Sequence, residues 1–374
     1  QIGSGADQGN AVDTAAGRTG GDFDRDAVLG DNGIGRLYNG TIYELVSTAL
    51  ANGAEGFQAD TITGGDDADL LIGGNGKDTI HGEAGDDLML GDNARLILFD
   101  GDVIGLPTSP INWPNHWDHD WDDHRDNGHP WPKFDPYQVQ GIELLGDEVG
   151  GDDVLEGGRD NDLIYGQFGN DTYVFAGSGL GFDSLVEAGS NRCGHDHHDD
   201  HHGYDPQVRP NDLHDRLDFT NFTGPVDVDL GRAGRQIVNG GYTHTAKNLG
   251  ITLFSPNAFE DVTGSAYDDD IEGNSRDNTL IGLAGNDKID GESGDDVVFG
   301  NEGNDCIVGE NGDDWIDAGA GDDHVWAGRG DDVVFGGAGN DDLYGDRGND
   351  TISGDDGDGY IRGQEANALL GGGE

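Results

Sequence analysis

The feature that most constrains this chain is an unbroken nine-residue period that runs from Gly264 to Arg362. Eleven segments follow one another without a gap, among them GLAGNDKID, GESGDDVVF, GNEGNDCIV and GENGDDWID. Within a segment, glycine recurs at positions one or two and at position four, Asn or Asp at five, Asp at six and an aliphatic residue at eight. A glycine-rich nonapeptide of this kind predicts a parallel β-helix.

Each nonamer divides into a turn and a short strand. Glycines allow positive φ, so the first six residues can form a tight loop, and the last three are extended with position eight directed inward. One buried aliphatic side chain contributes about 1.5–3 kcal/mol, whereas each ordered residue loses about 1–2 kcal/mol of backbone entropy. Hydrophobic burial alone therefore cannot fold a nonamer. The inward residues are Ile271, Leu280, Ile289, Val298, Ile307, Ile316, Val325, Val334, Leu343, Ile352 and Ile361.

The position-six carboxylates indicate what stabilises the turns. Stacked in rows they would repel one another, unless a hard cation that takes about six to eight oxygen ligands bridges them. We therefore predict bound calcium, and the alternative is a solenoid with merely acidic loops. Asn278 and Gly359 occupy position six in the second and eleventh repeats, which predicts weak or absent sites there. The predicted ligands of this run are Asp269, Asp287, Asp296, Asp305, Asp314, Asp323, Asp332, Asp341 and Asp350, with loop carbonyls near Gly285, Gly294, Gly303, Gly312, Gly321, Gly330 and Gly339.

The same period occurs in two earlier stretches, residues 64–90 and 148–174. Each supplies about three turns, the minimum for a stable stack. Their predicted calcium ligands are Asp69, Asp78, Asp87, Asp153, Asp162 and Asp171, with carbonyls near Gly76 and Gly85.

Charge and motifs narrow the classes of function. Asp and Glu number 76 against 19 Lys and Arg, a formal net charge of −57, which argues against nucleic acid and bare anionic membrane as partners. The sequence contains no run of 18 apolar residues, so it predicts no membrane span. The chain lacks HExxH, G-x-S-x-G and P-loop signatures, so we predict no enzyme activity and no catalytic residues. Folding is expected to be coupled to calcium binding.

These motifs resemble the repeats-in-toxin (RTX) family of haemolysin-type calcium-binding proteins. Asn170–Phe175 (NDTYVF) is similar to the element that ends many such blocks, and Phe259–Gly264 (FEDVTG) resembles the lead-in to a new block. The resemblance implies parallel β-rolls with two nonamers per coil and calcium shared by neighbouring coils. It also implies a bacterial protein exported through a type I channel. Only GQEANALLGGGE follows the last nonamer, so the true C-terminus is expected to be missing or cleaved.

The predicted fold class is all-β, with calcium-loaded parallel β-rolls in two or three blocks joined by non-repetitive β segments and loops. The segment ELVSTALANG is the best short helix candidate. The predicted segments are an N-terminal β segment at 1–63, a first roll block at 64–99, a connecting segment with a Trp/His-rich insertion at 100–147, a second block with closing strands at 148–192, a His/Asp-rich loop at 193–216, a non-repetitive β element at 217–263, the main roll at 264–362 and a tail at 363–374.

Two histidine-rich segments could bind zinc or copper. The alternative is that both are polar loops whose histidines are incidental. The tryptophans of the first segment, Trp113, Trp117, Trp121 and Trp131, could form a glycan platform or cover a roll end. A disulfide between Cys193 and Cys306 is possible in a secreted protein. The histidines concerned are His116, His119 and His124, and then His195, His197, His198, His201 and His202.

We predict a secreted, extracellular structural protein whose β-rolls fold on calcium and assemble into a surface layer, filament or matrix. Self-association or cell-surface components are the expected partners. One alternative is a calcium-dependent adhesin that binds glycan through the Trp/His insertion. Another is the non-catalytic, calcium-binding portion of a larger secreted enzyme or toxin.

Overall fold

The computed structural model consists of strands and turns, and no helix occurs among the residues that it describes. No helix long and apolar enough to cross a membrane is therefore found in that part of the chain. The chain forms two compact units, residues 1–171 with 185–213 and residues 172–184 with 214–374. The described residues are 10–13, 26–29, 33–38, 41–47, 59–65, 69–74, 76–85, 87–92, 94–98, 139–144, 151–167, 169–177, 180–187, 214–238, 249–357, 359–363 and 368–370.

Twelve strands are described in the first unit. Strands β5, β7 and β11 form one parallel sheet, and β2, β6, β8 and β12 run parallel in a second. The strands are β1 (Asn10–Asp13), β2 (Asp26–Leu29), β3 (Gly33–Tyr38), β4 (Thr41–Ser47), β5 (Thr61–Gly65), β6 (Leu70–Gly74), β7 (Thr79–Glu83), β8 (Leu88–Asp92), β9 (Ala94–Leu98), β10 (Val139–Leu144), β11 (Val154–Glu156) and β12 (Leu163–Tyr165).

The two early repeat stretches form a single stack. Thr79 of β7 pairs in parallel with Val154 of β11, and Leu88 of β8 pairs with Leu163 of β12. The chain between them leaves the stack and returns. On the way it contributes β9 and β10 to a four-stranded antiparallel sheet with the order β10-β9-β4-β3.

The prediction of a helix in ELVSTALANG is wrong for its first four residues. Glu44–Ser47 belong to β4, which pairs with β3 on one side and β9 on the other. Helix propensity is a weak local preference, and strand pairing with neighbours on both sides overrides it. The rest of that segment lies outside the described residues.

The second unit contains the main roll, which is built from two parallel sheets. Their orders are β31-β29-β27-β25-β23-β21-β19-β15-β13 and β16-β20-β22-β24-β26-β28-β30. The strands from residue 172 onward are β13 (Thr172–Val174), β14 (Phe182–Val186), β15 (Arg216–Asp218), β16 (Asp227–Asp229), β17 (Gly234–Ile237), β18 (Gly250–Leu253), β19 (Asp261–Thr263), β20 (Asp270–Asn274), β21 (Thr279–Ala284), β22 (Lys288–Glu292), β23 (Val297–Glu302), β24 (Cys306–Asn311), β25 (Trp315–Ala320), β26 (His324–Arg329), β27 (Val333–Ala338), β28 (Asp342–Asp346), β29 (Thr351–Ser353), β30 (Tyr360–Gly363) and β31 (Ala368–Leu370).

Successive strands within each of these two sheets are one coil apart. Ile271 pairs with Ile289, and Leu280 pairs with Val298, so one coil contains two nonamers. This register confirms the predicted all-β fold of parallel β-rolls. Strands β15, β16, β18 and β19 lie in the segment before the first nonamer.

The core of the main roll is the row of position-eight side chains. Ten of the eleven are fully buried, from Ile271 to Ile352, and Ile361 at the end of the roll is half-buried. An aromatic cluster packs at the beginning of this unit, where Phe219 stacks on Phe175 with ring centroids 4.8 Å apart. The edge of the Tyr173 ring meets Phe259 at 5.3 Å. Both sheets contribute aliphatic side chains to the core of the roll, and the aromatic cluster extends the core at the beginning of the unit.

The outer faces of both sheets carry aromatic side chains. Trp315 lies between Phe299 and Phe335, with centroid distances of 5.1 and 5.7 Å. On the other sheet Trp326 stacks on Tyr344 at 5.8 Å. Positions seven and nine of the repeat therefore supply a half-exposed aromatic surface as well as the charged residues of the roll.

Candidate calcium sites in the turns

All fifteen position-six aspartates predicted as ligands are buried, none with more than 4% of its surface exposed. Each turn places its aspartate directly before the inward-facing strand, so the carboxylate lies inside the turn. Burial of so many carboxylates is costly unless each is hydrogen-bonded, paired or bound to a metal.

One oxygen of each carboxylate in the main roll is held by the neighbouring coil. The backbone N–H of Asp269 donates to Oδ1 of Asp287 at 2.8 Å, and the N–H of Asp287 donates to Asp305 at the same distance. In the first unit the N–H of Asp78 donates to Oδ1 of Asp153 at 2.7 Å, across the excursion between the two stretches. This ladder fixes the orientation of the carboxylates along both stacks.

The second oxygen has a different environment in the third to ninth repeats. There Oδ2 is buried and has no hydrogen-bond partner in the protein. An unsatisfied buried oxygen costs about 1–3 kcal/mol, and more when it is charged. These atoms therefore need a positively charged partner from outside the chain. The seven residues are Asp287, Asp296, Asp305, Asp314, Asp323, Asp332 and Asp341.

Carboxylate and carbonyl oxygens converge beside the glycine at position one, as in a cation-binding site. A methyl group built on Gly291 would lie 2.5 Å from Oδ2 of Asp296 and 3.0 Å from the carbonyl oxygen of Gly309, one coil further on. In the first unit a methyl group on Gly64 would lie 2.6 Å from Oδ2 of Asp69 and 2.8 Å from the Gly82 oxygen. Calcium–oxygen distances are about 2.3–2.6 Å, and the donors are all hard oxygens. The residues present fit calcium.

The predicted carbonyls form a column at position four. Gly303 has a φ of 136°, and a methyl group there would overlap the carbonyl oxygen of Gly285 one coil earlier. Gly312 stands in the same relation to Gly294. The column lies in the same turns as the position-six carboxylates, so both kinds of oxygen are available together.

The electrostatics of the turns favour a cation. Burial, reinforced by neighbouring carboxylates, raises the pKa of Asp287 to about 7 and that of Asp296 to about 8. Burial likewise raises the pKa of Asp314 to about 6 and the pKa values of Asp323 and Asp332 to about 7. Carboxylates in such rows are ionised only at a cost, which a bound divalent cation would remove.

Position two distinguishes the first two repeats of the main run from the rest. From the third repeat to the eleventh this residue has a positive φ, as at Leu283 (80°), Glu292 (68°) and Glu310 (71°). Ser265 and Asn274, at position two of the first and second repeats, are not among the residues with positive φ. Their N–H groups instead donate to the position-six side chain of their own turn, Asp269 and Asn278.

Sequence reasoning missed the role of these position-two residues. The available signal was that Ser265 and Asn274 are small hydrogen-bonding residues in the two repeats that lack glycine at position four, where Tyr267 and Arg276 stand instead. Such residues readily bond to nearby backbone in turns.

The other predicted sites lie largely outside the described residues. His116, His119, His124, His195, His197, His198, His201 and His202 fall there, as do Cys193 and the tryptophans from Trp113 to Trp131. Cys306 lies half-buried at position seven and forms no disulfide within the described part of the chain.

Comparison with known families agrees with this geometry. The model of the RTX calcium-binding nonapeptide repeat (4 copies) matches residues 56–92, 149–179, 263–298, 272–305, 299–334, 308–343 and 326–361. A search of curated proteins found no match. The matched stretches coincide with the stacked turns of both units, so both units contain RTX calcium-binding nonapeptide repeats.

Proposed function

We propose that this protein is a secreted, calcium-dependent structural protein whose β-rolls fold on calcium and then associate into an extracellular layer, filament or matrix. The observation that carries the calcium part is the row of buried Oδ2 atoms without a protein donor in the third to ninth repeats. RTX repeats bind calcium and are typical of secreted bacterial proteins.

In this proposal the ligands of the main roll are the seven position-six aspartates from Asp287 to Asp341, together with Asp350 of the tenth repeat. Carbonyls at positions one and four supply further oxygens. Asp69, Asp78, Asp87, Asp153, Asp162 and Asp171 hold calcium in the first unit by the same position in the repeat. A calcium ion shared by two coils replaces the repulsion along a row with a cross-link, so folding and binding are one event.

The outer faces support association. Trp326 is 36% exposed and Tyr360 54% exposed on one sheet, and the Phe299–Trp315–Phe335 group is half-buried on the other. Contiguous exposed aromatic surface is characteristic of interaction sites. The net charge of −57 opposes association, and each bound calcium ion removes two negative charges. Calcium would therefore both order these faces and lower the repulsion between molecules.

Size-exclusion chromatography with light scattering, in chelator and in millimolar calcium, tests both parts. We expect an expanded monomer in chelator, and in calcium a compact species that assembles into regular particles visible by negative-stain microscopy. An unchanged hydrodynamic size would contradict the calcium part. A compact monomer at every concentration in calcium would contradict assembly.

The ligand assignment has its own test. Asp305→Ala combined with Asp323→Ala removes two carboxylates of the same row in adjacent coils, and we expect weaker calcium binding and less cooperative folding by calorimetric titration. Asp290→Ala combined with Asp317→Ala, both on the outer faces, is the matched control because it removes the same number of charges outside the turns. An unchanged titration in the double variant would sink the assignment.

A second candidate is a calcium-dependent adhesin that binds glycan. The stacked pair Trp326 and Tyr344, with the more exposed Tyr360 beside it, offers aromatic surface that sugars can contact. Glycan-array binding in calcium, abolished by Trp326→Ala in a chain that remains monomeric, would favour this role over assembly.

A further inference from the structure

We infer that the first two repeats of the main run close without calcium and form a folded seed on which the calcium-dependent coils grow. Ser265, Asn274 and Asn278 determine this difference, because their hydrogen bonds occupy the oxygens that face a cation elsewhere. The inference rests on the proposed calcium ligands of the later repeats, and it removes Asp269 from the predicted set.

Asp269 is satisfied by the protein itself. Its Oδ1 accepts hydrogen bonds from the backbone N–H of Val226 at 2.7 Å and from the Ser265 hydroxyl at 2.8 Å. Its Oδ2 accepts the N–H of Ser265 at 2.6 Å. A carboxylate that accepts several hydrogen bonds is stabilised in its charged form without a metal. Oδ2 of Asp287, one coil further on, has no such donor.

Asn278 brings its own donor to position six. Its Oδ1 accepts the N–H of Asn274 at 2.8 Å, and its Nδ2 donates to the carbonyl oxygen of Glu260 at 2.8 Å. Asn274 repeats the pattern, with Nδ2 donating to the Phe259 oxygen at 2.7 Å. Both amides are at most 3% exposed. In this coil the position-six side chain is a neutral amide with its own donor, so the turn closes without the bare carboxylate oxygen that needs a cation in later repeats.

An arginine side chain supplies the positive charge that the seed needs. The Arg276 guanidinium pairs with the carboxylate of Glu260, whose side chain is only 1% exposed. The other oxygen of Glu260 accepts the N–H of Asp215 at 3.1 Å, which ties the turn to the strand that precedes the repeats. A buried carboxylate paired in this way needs no ion from solution.

The backbone of the seed is also unstrained at position two. In the later repeats Leu283, Glu292, Asn301 and Glu310 have φ between 68 and 80°, a left-handed conformation that costs a non-glycine residue about 1–2 kcal/mol. Such strain persists only where surrounding interactions enforce it. Calcium supplies that enforcement in the later repeats, and the seed does not require it.

The seed presents a ready edge to the first calcium-dependent coil. The N–H of Lys288 donates to the backbone carbonyl oxygen of Asp269 at 2.8 Å. The N–H of Asp269 donates to the Asp287 carboxylate at the same distance. In a stacked repeat protein each unit contacts mainly its neighbours, so folding that begins at one unit propagates along the stack. The coils after residue 282 therefore order on this edge once calcium is present.

Hydrogen exchange measured by mass spectrometry on the full chain tests the inference. In chelator we expect amides of residues 249–281 to exchange at least about tenfold more slowly than those of 282–357. Calcium should protect both stretches. Equal exchange of the two stretches in chelator, whether fast or slow, would overturn the inference.

Asn278→Asp and Asp296→Asn form a matched pair, because the two residues occupy the same row one coil apart. Asn278→Asp replaces the Nδ2 donor with an oxygen that faces the Glu260 carbonyl. We expect residues 249–281 to lose protection in chelator and to recover it in calcium. Retention of wild-type protection in chelator would overturn the inference. If the variant does not fold in calcium, Ser265→Ala, which removes one hydroxyl donor, should give a smaller loss of protection in chelator, and no loss would overturn it.

Asp296→Asn separates this inference from the proposed function. It should weaken calcium binding and leave the protection of residues 249–281 in chelator unchanged. Unaltered calcium binding would contradict the assignment of Asp296 as a ligand. The protection of residues 249–281 in chelator would still test the seed. A loss of that protection in Asp296→Asn would contradict the seed.

Discussion

The first two repeats of the main run and the seven that follow share a period, a strand register and a fully buried aliphatic row. They differ in how the turns close. In the first two, side-chain and backbone donors meet the position-six oxygens, whereas in the next seven one carboxylate oxygen per turn has no donor in the protein. The same repeat can thus be a hydrogen-bonded turn or an ion-dependent one, according to its position-two and position-six residues.

The largest expected effect comes from Gly303→Ala at position four. A methyl group there would overlap the Gly285 carbonyl oxygen, and the φ of 136° is unfavourable for alanine. We expect a loss of about 3 kcal/mol or more in the stability of the calcium-bound roll, measured by urea unfolding in calcium. Gly234→Ala, at a φ of 99° with open space around it, is the control and should cost much less. Equal losses would show that close packing of coils does not limit the turns.

Core truncation tests whether the two regions differ only in their turns. Ile271→Ala in the seed and Ile316→Ala in a later coil remove the same buried group and should each cost about 2–5 kcal/mol in calcium. In chelator only Ile271→Ala should increase hydrogen exchange, because the coil of Ile316 is already unfolded there. An effect of Ile316→Ala on exchange in chelator would mean that the later coils fold without calcium.

Acidity should act on the later coils in opposite directions with and without calcium. Burial raises the pKa of Asp287 to about 7 and that of Asp296 to about 8, above the ordinary value of 3.8. Without calcium, the raised pKa values mean that the protonated carboxyl groups stabilise the folded coils. This stabilisation is complete below pH 3.8 and is lost as the pH rises through 7 to 8. Calcium requires the ionised form, so its affinity should fall by about ten- to fiftyfold from pH 8 to pH 6.

Calcium titration by calorimetry at the two pH values, with far-ultraviolet circular dichroism of the calcium-free chain on acidification, checks both directions. Release of protons on binding, seen as a dependence of the heat on buffer, should accompany the tighter binding at pH 8. A calcium affinity that does not change between pH 8 and pH 6 would contradict the assignment of these carboxyl groups.

The smallest expected effect differs in sign between the two regions. Leu283→Gly relieves the left-handed backbone at position two of the third repeat and should stabilise the roll by about 0.5–1 kcal/mol. Asn274→Gly at the same position of the second repeat removes the amide bonded to the Phe259 oxygen and should destabilise it. Urea unfolding in calcium measures the change in stability of each variant. A change of the same sign in both would contradict the difference between the two regions at position two.

The repeat period predicts the local features well. Position eight is buried as expected, and the predicted ligands at position six are buried as well, because a strict period places every copy in the same environment. Long-range pairings are not encoded in a local period. The stacking of β7 on β11, the bond from the Val226 N–H to Asp269 and the strand at Glu44–Ser47 each depend on partners far along the chain. A donor to the second carboxylate oxygen, such as the Ser265 N–H that meets Oδ2 of Asp269, decides which predicted carboxylates still need a metal.

The pairing of β7 with β11 makes the first stack a natural site of insertion. The coil leaves after Asp92 and resumes by residue 151 without a change in the hydrogen-bonded register of the strands on either side. Because the entropy of closing a loop grows only with the logarithm of its length, each doubling of such an excursion costs about 0.6 kcal/mol. New segments whose ends lie one strand spacing apart could therefore be inserted between coils, and the stacked coils would hold them in place.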